Sequence, residues 1–132
     1  NKLLDIFREY VKKLRRKEVS INKLIIWEQI TKSLDEYKVN APHVEVARKL
    51  SSEGWRVKRG VFIGYVIYKG EGPLYKRAIH YTKAEPKYID WEYYIFNQLL
   101  PVAIRILSPI GISDKTLESI AHGAGMGLDM FV

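Results

Sequence analysis

The run Val61-Phe62-Ile63-Gly64-Tyr65-Val66-Ile67-Tyr68 constrains the fold more than any other part of the chain. It is β-branched and aromatic, broken only by Gly64, and it lacks the apolar-polar alternation of a strand with one wet face. Such a strand is expected to be buried on both sides. Gly70-Glu71-Gly72-Pro73 follows as a turn, so Leu74 to Tyr81 is expected to return as its antiparallel partner. Leu24-Ile25-Ile26-Trp27, extended to about Ile30, is a further run of strand length.

Helices flank these strands. Leu3, Leu4, Phe7, Tyr10, Val11 and Leu14 recur at helical spacing over residues 2–17, opposite Lys2, Arg8, Lys12, Lys13, Arg15 and Arg16. The cationic last turn suits a helix C-terminus as well as it suits a contact to DNA. Ala41-Pro42 opens a second helix to about Ser52, with Val44, Val46, Ala47 and Leu50 inward and Gly54 ending it. A third begins after Asp90, a good N-cap, and carries Trp91, Tyr94, Ile95, Leu99, Val102 and Ile106. Pro101 lies inside it and is expected to kink it by removing the bond to the Asn97 carbonyl. Ser113 to Ala121 reads as a last short helix capped by Ser113 or Asp114. The expected class is α+β, helices packed with a small antiparallel sheet or hairpin.

At 132 residues the chain is one domain's worth, and 47% apolar residues suffice for a core. The first residue is Asn1, so a fragment or processed piece is expected. Twenty-two Lys and Arg against 15 Asp and Glu leave a formal charge of +7, which suits a polyanionic partner, with nucleic acid ahead of a membrane surface. A solvated basic surface accounts for the charge equally well. The chain has no cysteine, which excludes disulfides, zinc-thiolate sites and a cysteine nucleophile and fits a cytoplasmic location. No apolar run reaches the roughly 20 residues of a membrane span. Many Ile, Tyr, Lys and Glu residues lean towards a thermophile source.

Catalysis finds little support. His43, His80 and His122 lack metal-ligand spacing, no glycine-rich loop joins a strand to a helix to cradle phosphate, and no carboxylate pair sits at a strand end. The polar stretch from Glu28 to Val44 is different. Gln29, Thr31 and Lys32 close one strand, and Lys38, Asn40 and His43 lead into the start of a helix, where unpaired N–H groups favour anions. That set suits phosphate oxygens and groove-edge acceptors. The same residues also serve as an ordinary cap with a solvated lysine. Lys76 and Arg77, with His80, Lys83 and Lys87, form a second basic cluster, and Arg56, Lys58 and Arg59 a third. No aromatic residue is interleaved with these clusters in a way that suggests base stacking, and Trp91, Tyr93 and Tyr94 read as core and rim of the long helix, which favours duplex backbone contact over single-strand stacking.

Ile25-Ile26-Trp27-Glu28-Gln29-Ile30-Thr31-Lys32, then Tyr37-Lys38, then Pro42-His43-Val44 resembles the thumb of archaeal family B DNA polymerases. Lys69-Gly70 with Gly72, followed by Arg77-Ala78-Ile79, resembles the hairpin of the same thumb, and Tyr93-Tyr94-Ile95 through Asn97-Gln98, Leu100-Pro101 and Arg105-Ile106-Leu107 the long helix after it. The resemblance divides the chain into a palm-to-thumb helix over 1–18, a thumb over 19–110 and a tail over 111–132. It implies a grip on the sugar-phosphate backbone of the primer–template duplex by Gln29, Thr31, Lys32, Lys38, Asn40, His43 and Arg77, with Lys76 beside them, in support of processive synthesis. Asn40 departs from the small hydroxyl residue usual there, and His80 stands where a proline is usual. The family's catalytic aspartates, its Mg²⁺ and its nucleotide site belong to the palm and fingers, so no cofactor and no activity are expected of this chain alone. The tail is similar to the motif that binds the sliding clamp PCNA. Leu128, Met130, Phe131 and Val132 supply its apolar plug, while Gly125 replaces the glutamine. The competing reading is a separately encoded accessory subunit or a free-standing duplex-DNA-binding protein.

Overall fold

The computed structural model describes residues 1–123, so the tail residues Leu128, Met130, Phe131 and Val132 lie outside the described residues. The chain divides into two compact units, one comprising Ser20–Asp90 and the other Asn1–Val19 with the described residues from Trp91 onward. The α+β class expected from the sequence is the one observed.

The Ser20–Asp90 unit is built on a three-stranded antiparallel sheet in the order β1-β2-β3, with β1 spanning Ile26–Gln29, β2 Phe62–Ile67 and β3 Ala78–His80. Strand β2 is central and, from Ile63 to Ile67, buried, as its composition requires. It pairs Tyr65 with Ile26 and Phe62 with Gln29 on one side, and Tyr65 with His80 and Ile67 with Ala78 on the other. Helix α2, Pro42–Ser52, buries Val44, Val46, Ala47 and Leu50, the four positions its periodicity marks. Gly54 follows at φ +97°, in the left-handed region that glycine enters without Cβ strain. The return strand is shorter than expected. Leu74–Lys76 forms a 3₁₀ turn instead, with Pro73 at its head, and only Ala78–His80 joins the sheet. The chain then comes back to β2 through a Tyr68–Ile89 bridge.

In the other unit, α1 spans Lys2–Arg15, starts on the Asn1 side chain, which accepts from the Leu3 and Leu4 N–H groups, and buries Phe7, Val11 and Leu14. Leu3 remains on the surface, so the buried stripe is narrower than the apolar one. The Arg15 Nε donates to the Ala121 carbonyl at 3.1 Å, at the last residue of the final helix. One cation of the basic turn is therefore spent on a helix C-terminus. The helix that begins at Trp91 changes register rather than simply losing a bond. Trp91–Tyr93 (α3) is α-helical, Tyr94–Leu99 is π-helical, and Leu100–Leu107 (α4) is α-helical again. The Leu100 N–H reaches the Ile95 carbonyl, five residues back, just before Pro101, which has no N–H to offer.

Helix α5, Asp114–Ala121, buries Leu117, Ile120 and Ala121. Of the two candidate caps it is Ser113 whose hydroxyl accepts, from the Thr116 N–H at 3.2 Å. Ser113→Ala is expected to destabilise this unit by about 1 kcal/mol, measured as a lower urea midpoint with an unchanged slope. Among the described residues no helix is long and apolar enough to cross a membrane.

Candidate nucleic-acid interface

The polar stretch from Glu28 to Val44 folds as a closed loop on the edge of the Ser20–Asp90 unit. Strand alternation turns Glu28 to the same side of the sheet as Ile26, towards α2. There its carboxylate accepts from the Tyr65 hydroxyl and lies 3.2 Å from Nδ1 of His43, whose side chain is only 14% exposed. Nδ1 is buried and the contact is not aligned as a hydrogen bond. His43 is thus held from within by Glu28 and from the side by the edge of the Tyr37 ring, 6.1 Å between centroids.

Tyr37 closes the loop. Its hydroxyl accepts from the Thr31 backbone N–H at 2.8 Å and lies 3.3 Å from the Thr31 hydroxyl. The Lys32 ammonium stands over its ring at 5.0 Å. The hydrogen bond with the Thr31 side chain, then that with the Thr31 N–H, then smaller effects of Lys32, hold the Tyr37 phenol below its ordinary range. From the helix side, Arg48 donates to the Leu34 and Tyr37 carbonyls at 3.2 and 3.3 Å and pairs with Glu45 at 2.6 Å. Gln29 donates from Nε2 to the Gly60 carbonyl at 3.1 Å, tying the end of β1 to the turn before β2.

Lys38 and Asn40 remain. Both are exposed, next to the start of α2, whose cap residue Ala41 makes no side-chain hydrogen bond. Gln29, Thr31, Lys32, Lys38, Asn40 and His43 are therefore arranged along one loop and the helix start it leads to. Tyr65 and Arg48, which help shape that loop, were not singled out by sequence reasoning, and Glu28 and Tyr37 entered it only as parts of a motif with no role assigned. The inward position of Glu28 in its strand was the one available signal.

The second basic cluster is dispersed. Lys76 is exposed. Arg77 turns inward, its side chain 16% exposed, and donates from Nη1 to the Asp90 carboxylate and to the Tyr68 carbonyl, each at 2.9 Å. Lys83 pairs with Glu53, and Lys87 stands 5.0 Å over the Tyr88 ring. His80 is buried, its Nδ1 2.6 Å from the Thr82 hydroxyl and its ring 5.3 Å from that of Trp55. It does not act as a surface cation. Burial pushes its pKa below the ordinary 6.5, the Lys83 ammonium adds to this, and Glu53 opposes it. The folded state then binds fewer protons at His80 than the unfolded chain, so its contribution to stability is present above pH 6.5 and is lost as pH falls below that value. Urea midpoints are expected to drop between pH 7.5 and pH 5 in the parent and to drop less in His80→Gln.

Among the described residues no group of three or more His, Cys, Asp or Glu side chains is placed to hold a metal ion.

The family model described as DNA polymerase family B matches residues 1–110. A DNA polymerase of Methanocaldococcus jannaschii is 43% identical over 126 residues, which cover 96% of this chain and 8% of that protein. A DNA polymerase of Pyrococcus glycovorans is 47% identical over 109 residues, 80% of this chain and 14% of that protein. The solved structure of the family B DNA polymerase from the hyperthermophilic archaeon Pyrobaculum calidifontis superposes with a TM-score of 0.72 at 37% identity, over 83% of this chain and 15% of that one. The chain thus spans a small part of the length of the proteins it matches.

Proposed function

The chain belongs to DNA polymerase family B, and on that premise we propose that residues 19–110 are the thumb and that its Ser20–Asp90 unit grips the primer–template duplex behind the polymerase active site. Lys32, Lys38 and Asn40 meet phosphate oxygens at the start of α2. Gln29, Thr31 and His43 line the same loop, and Lys76 adds charge from the hairpin. The observation that carries this reading is the loop itself. Tyr37 and Arg48 tie its backbone at Thr31, Leu34 and Tyr37, so less loop entropy is lost on contact. An uncapped helix start beside exposed Lys38 and Asn40 favours an anion in the same place.

Arg77 enters the proposal as the residue that holds the hairpin carrying Lys76, through its bonds to Asp90 and Tyr68. The nucleotide, Mg²⁺ and the chemical step belong to palm and fingers outside this chain, with which the thumb is partnered. The tail residues Leu128, Met130, Phe131 and Val132 are proposed to engage the sliding clamp.

The experiment is duplex binding by the chain itself, read as fluorescence anisotropy with labelled duplexes of unrelated sequence. Affinities are expected to agree within about threefold among sequences, with log K falling linearly in log salt. Affinity that tracks sequence, or that ignores salt, would contradict a backbone grip.

A further inference from the structure

The face of the sheet turned away from α2 is aromatic. Strand alternation places Trp27, Gln29, Phe62 and Gly64 on this side, since Trp27 pairs with Gly64 and Phe62 with Gln29. Gly64 is the floor. A Cβ there would stand 2.7 Å from Cζ3 and 2.8 Å from Cη2 of Trp27, so the indole lies directly across the glycine. It crosses the width of β2 to reach Tyr81, one residue beyond the paired part of β3, with ring centroids 5.3 Å apart and planes tilted by 56°. Trp27 is still 53% exposed, and Phe62, diagonal to it, is 60% exposed.

The segment that leads into this face is cationic. The turn from Lys58 to Val61 is stapled to the end of β1, with the Gly60 N–H on the Ile30 carbonyl at 2.6 Å and the Ile30 N–H on the Val61 carbonyl at 2.8 Å. Exposed Arg56, Lys58 and Arg59 therefore sit in the segment that runs into Phe62, and among the described residues none of the three takes part in a recorded ion pair.

We propose that the Trp27–Phe62–Tyr81 face is a stacking site for unpaired nucleobases, taking single-stranded nucleic acid whose phosphates run along Arg56, Lys58 and Arg59. Exposed rings offer π-faces to any base, and unpaired cations beside them complement a phosphate chain. A second copy of this chain, with its formal charge of +7, would bring like charge to the same segment. Gln29 borders both sites, but the rings lie on the sheet while Lys32, Lys38 and Asn40 lie on the loop before α2, so failure of the stacking site leaves the phosphate grip untouched.

The test uses the whole chain and two labelled oligonucleotides of about a dozen nucleotides, oligo(dT) and a fully abasic strand of the same phosphate count. Oligo(dT) is expected to bind about 10-fold more tightly than the abasic strand. Trp27→Ala is expected to remove most of that preference, Trp27→Phe to keep most of it, and Gly64→Ala, which keeps every ring but lifts the indole off its floor, to reduce it. Thermal melts of the three variants establish that each is folded, and their affinity for duplex DNA is expected to equal the parent's. Equal binding of the two strands by the parent overturns the proposal. So does an unchanged preference in folded Trp27→Ala. A concentration-dependent dimer that Trp27→Ala dissolves assigns the face to a second copy and overturns it too.

Discussion

Arg77→Ala is expected to destabilise the Ser20–Asp90 unit by about 2–4 kcal/mol. The guanidinium donates to Asp90 and to the Tyr68 carbonyl, and the two charged side chains are 16% and 23% exposed. Removing it takes the Arg77 cation from a carboxylate that is mostly out of water, and a donor from the Tyr68 carbonyl. Asp90→Ala strands the opposite charge and is expected to cost a similar amount. The double variant is expected to lose less than the sum, because each single change removes the same interaction. Urea denaturation of the four proteins measures the cycle. Additive losses would mean that the pair is not coupled. A stable Arg77→Ala protein with weakened duplex binding would return Arg77 to the interface.

The second large effect falls on binding and not on stability. Lys32 and Lys38 are exposed, and among the described residues Lys32 stands over the Tyr37 ring while Lys38 forms no ion pair. Replacing both by alanine is expected to change the urea midpoint little. Each phosphate neutralised releases condensed counterions, so each contact contributes roughly 0.9 to the slope of log K against log salt. At about 0.1 M salt the loss of two such contacts corresponds to an affinity lower by roughly 50-fold. The loop itself persists in the variant, because Tyr37, Thr31 and Arg48 hold it through bonds that neither lysine makes.

What the sequence disclosed and what it hid divide along the range of the interactions. Helix α2 was legible to its last residue, because Pro42 at its start, Gly54 after its end and the spacing of Val44, Ala47 and Leu50 are all local. The buried character of β2 was legible for the same reason. Strand β3 was overextended, since nothing in Leu74-Tyr75-Lys76 distinguishes a strand from the 3₁₀ turn that Pro73 heads. A kink was expected at Pro101; the structure shows a π-helical stretch, Tyr94–Leu99, just ahead of it, which nothing in the local sequence had announced.

At the candidate site, the residue types of the Gln29–His43 loop were visible and its clasp was not. Tyr37 reaches back to Thr31, and Arg48 reaches back from α2 to Leu34 and Tyr37. Arg77 and His80 read as surface cations because their partners arrive from elsewhere in the chain, Asp90 through the Tyr68–Ile89 bridge and Trp55 from beyond α2. The aromatic face was hidden most completely. Trp27, Phe62 and Tyr81 are far apart in sequence, and strand register alone brings them together. Stacking on that face is opposed to the preference for duplex contact alone, and the oligonucleotide comparison decides between them.

The central claim is that the loop before α2 holds duplex phosphates. Its most direct test is the salt dependence of duplex binding, measured side by side for the parent and for Lys32→Ala with Lys38→Ala. The account predicts a slope shallower by about 2 in the double variant, with the folded state intact. An unchanged slope and affinity in a folded double variant would contradict it.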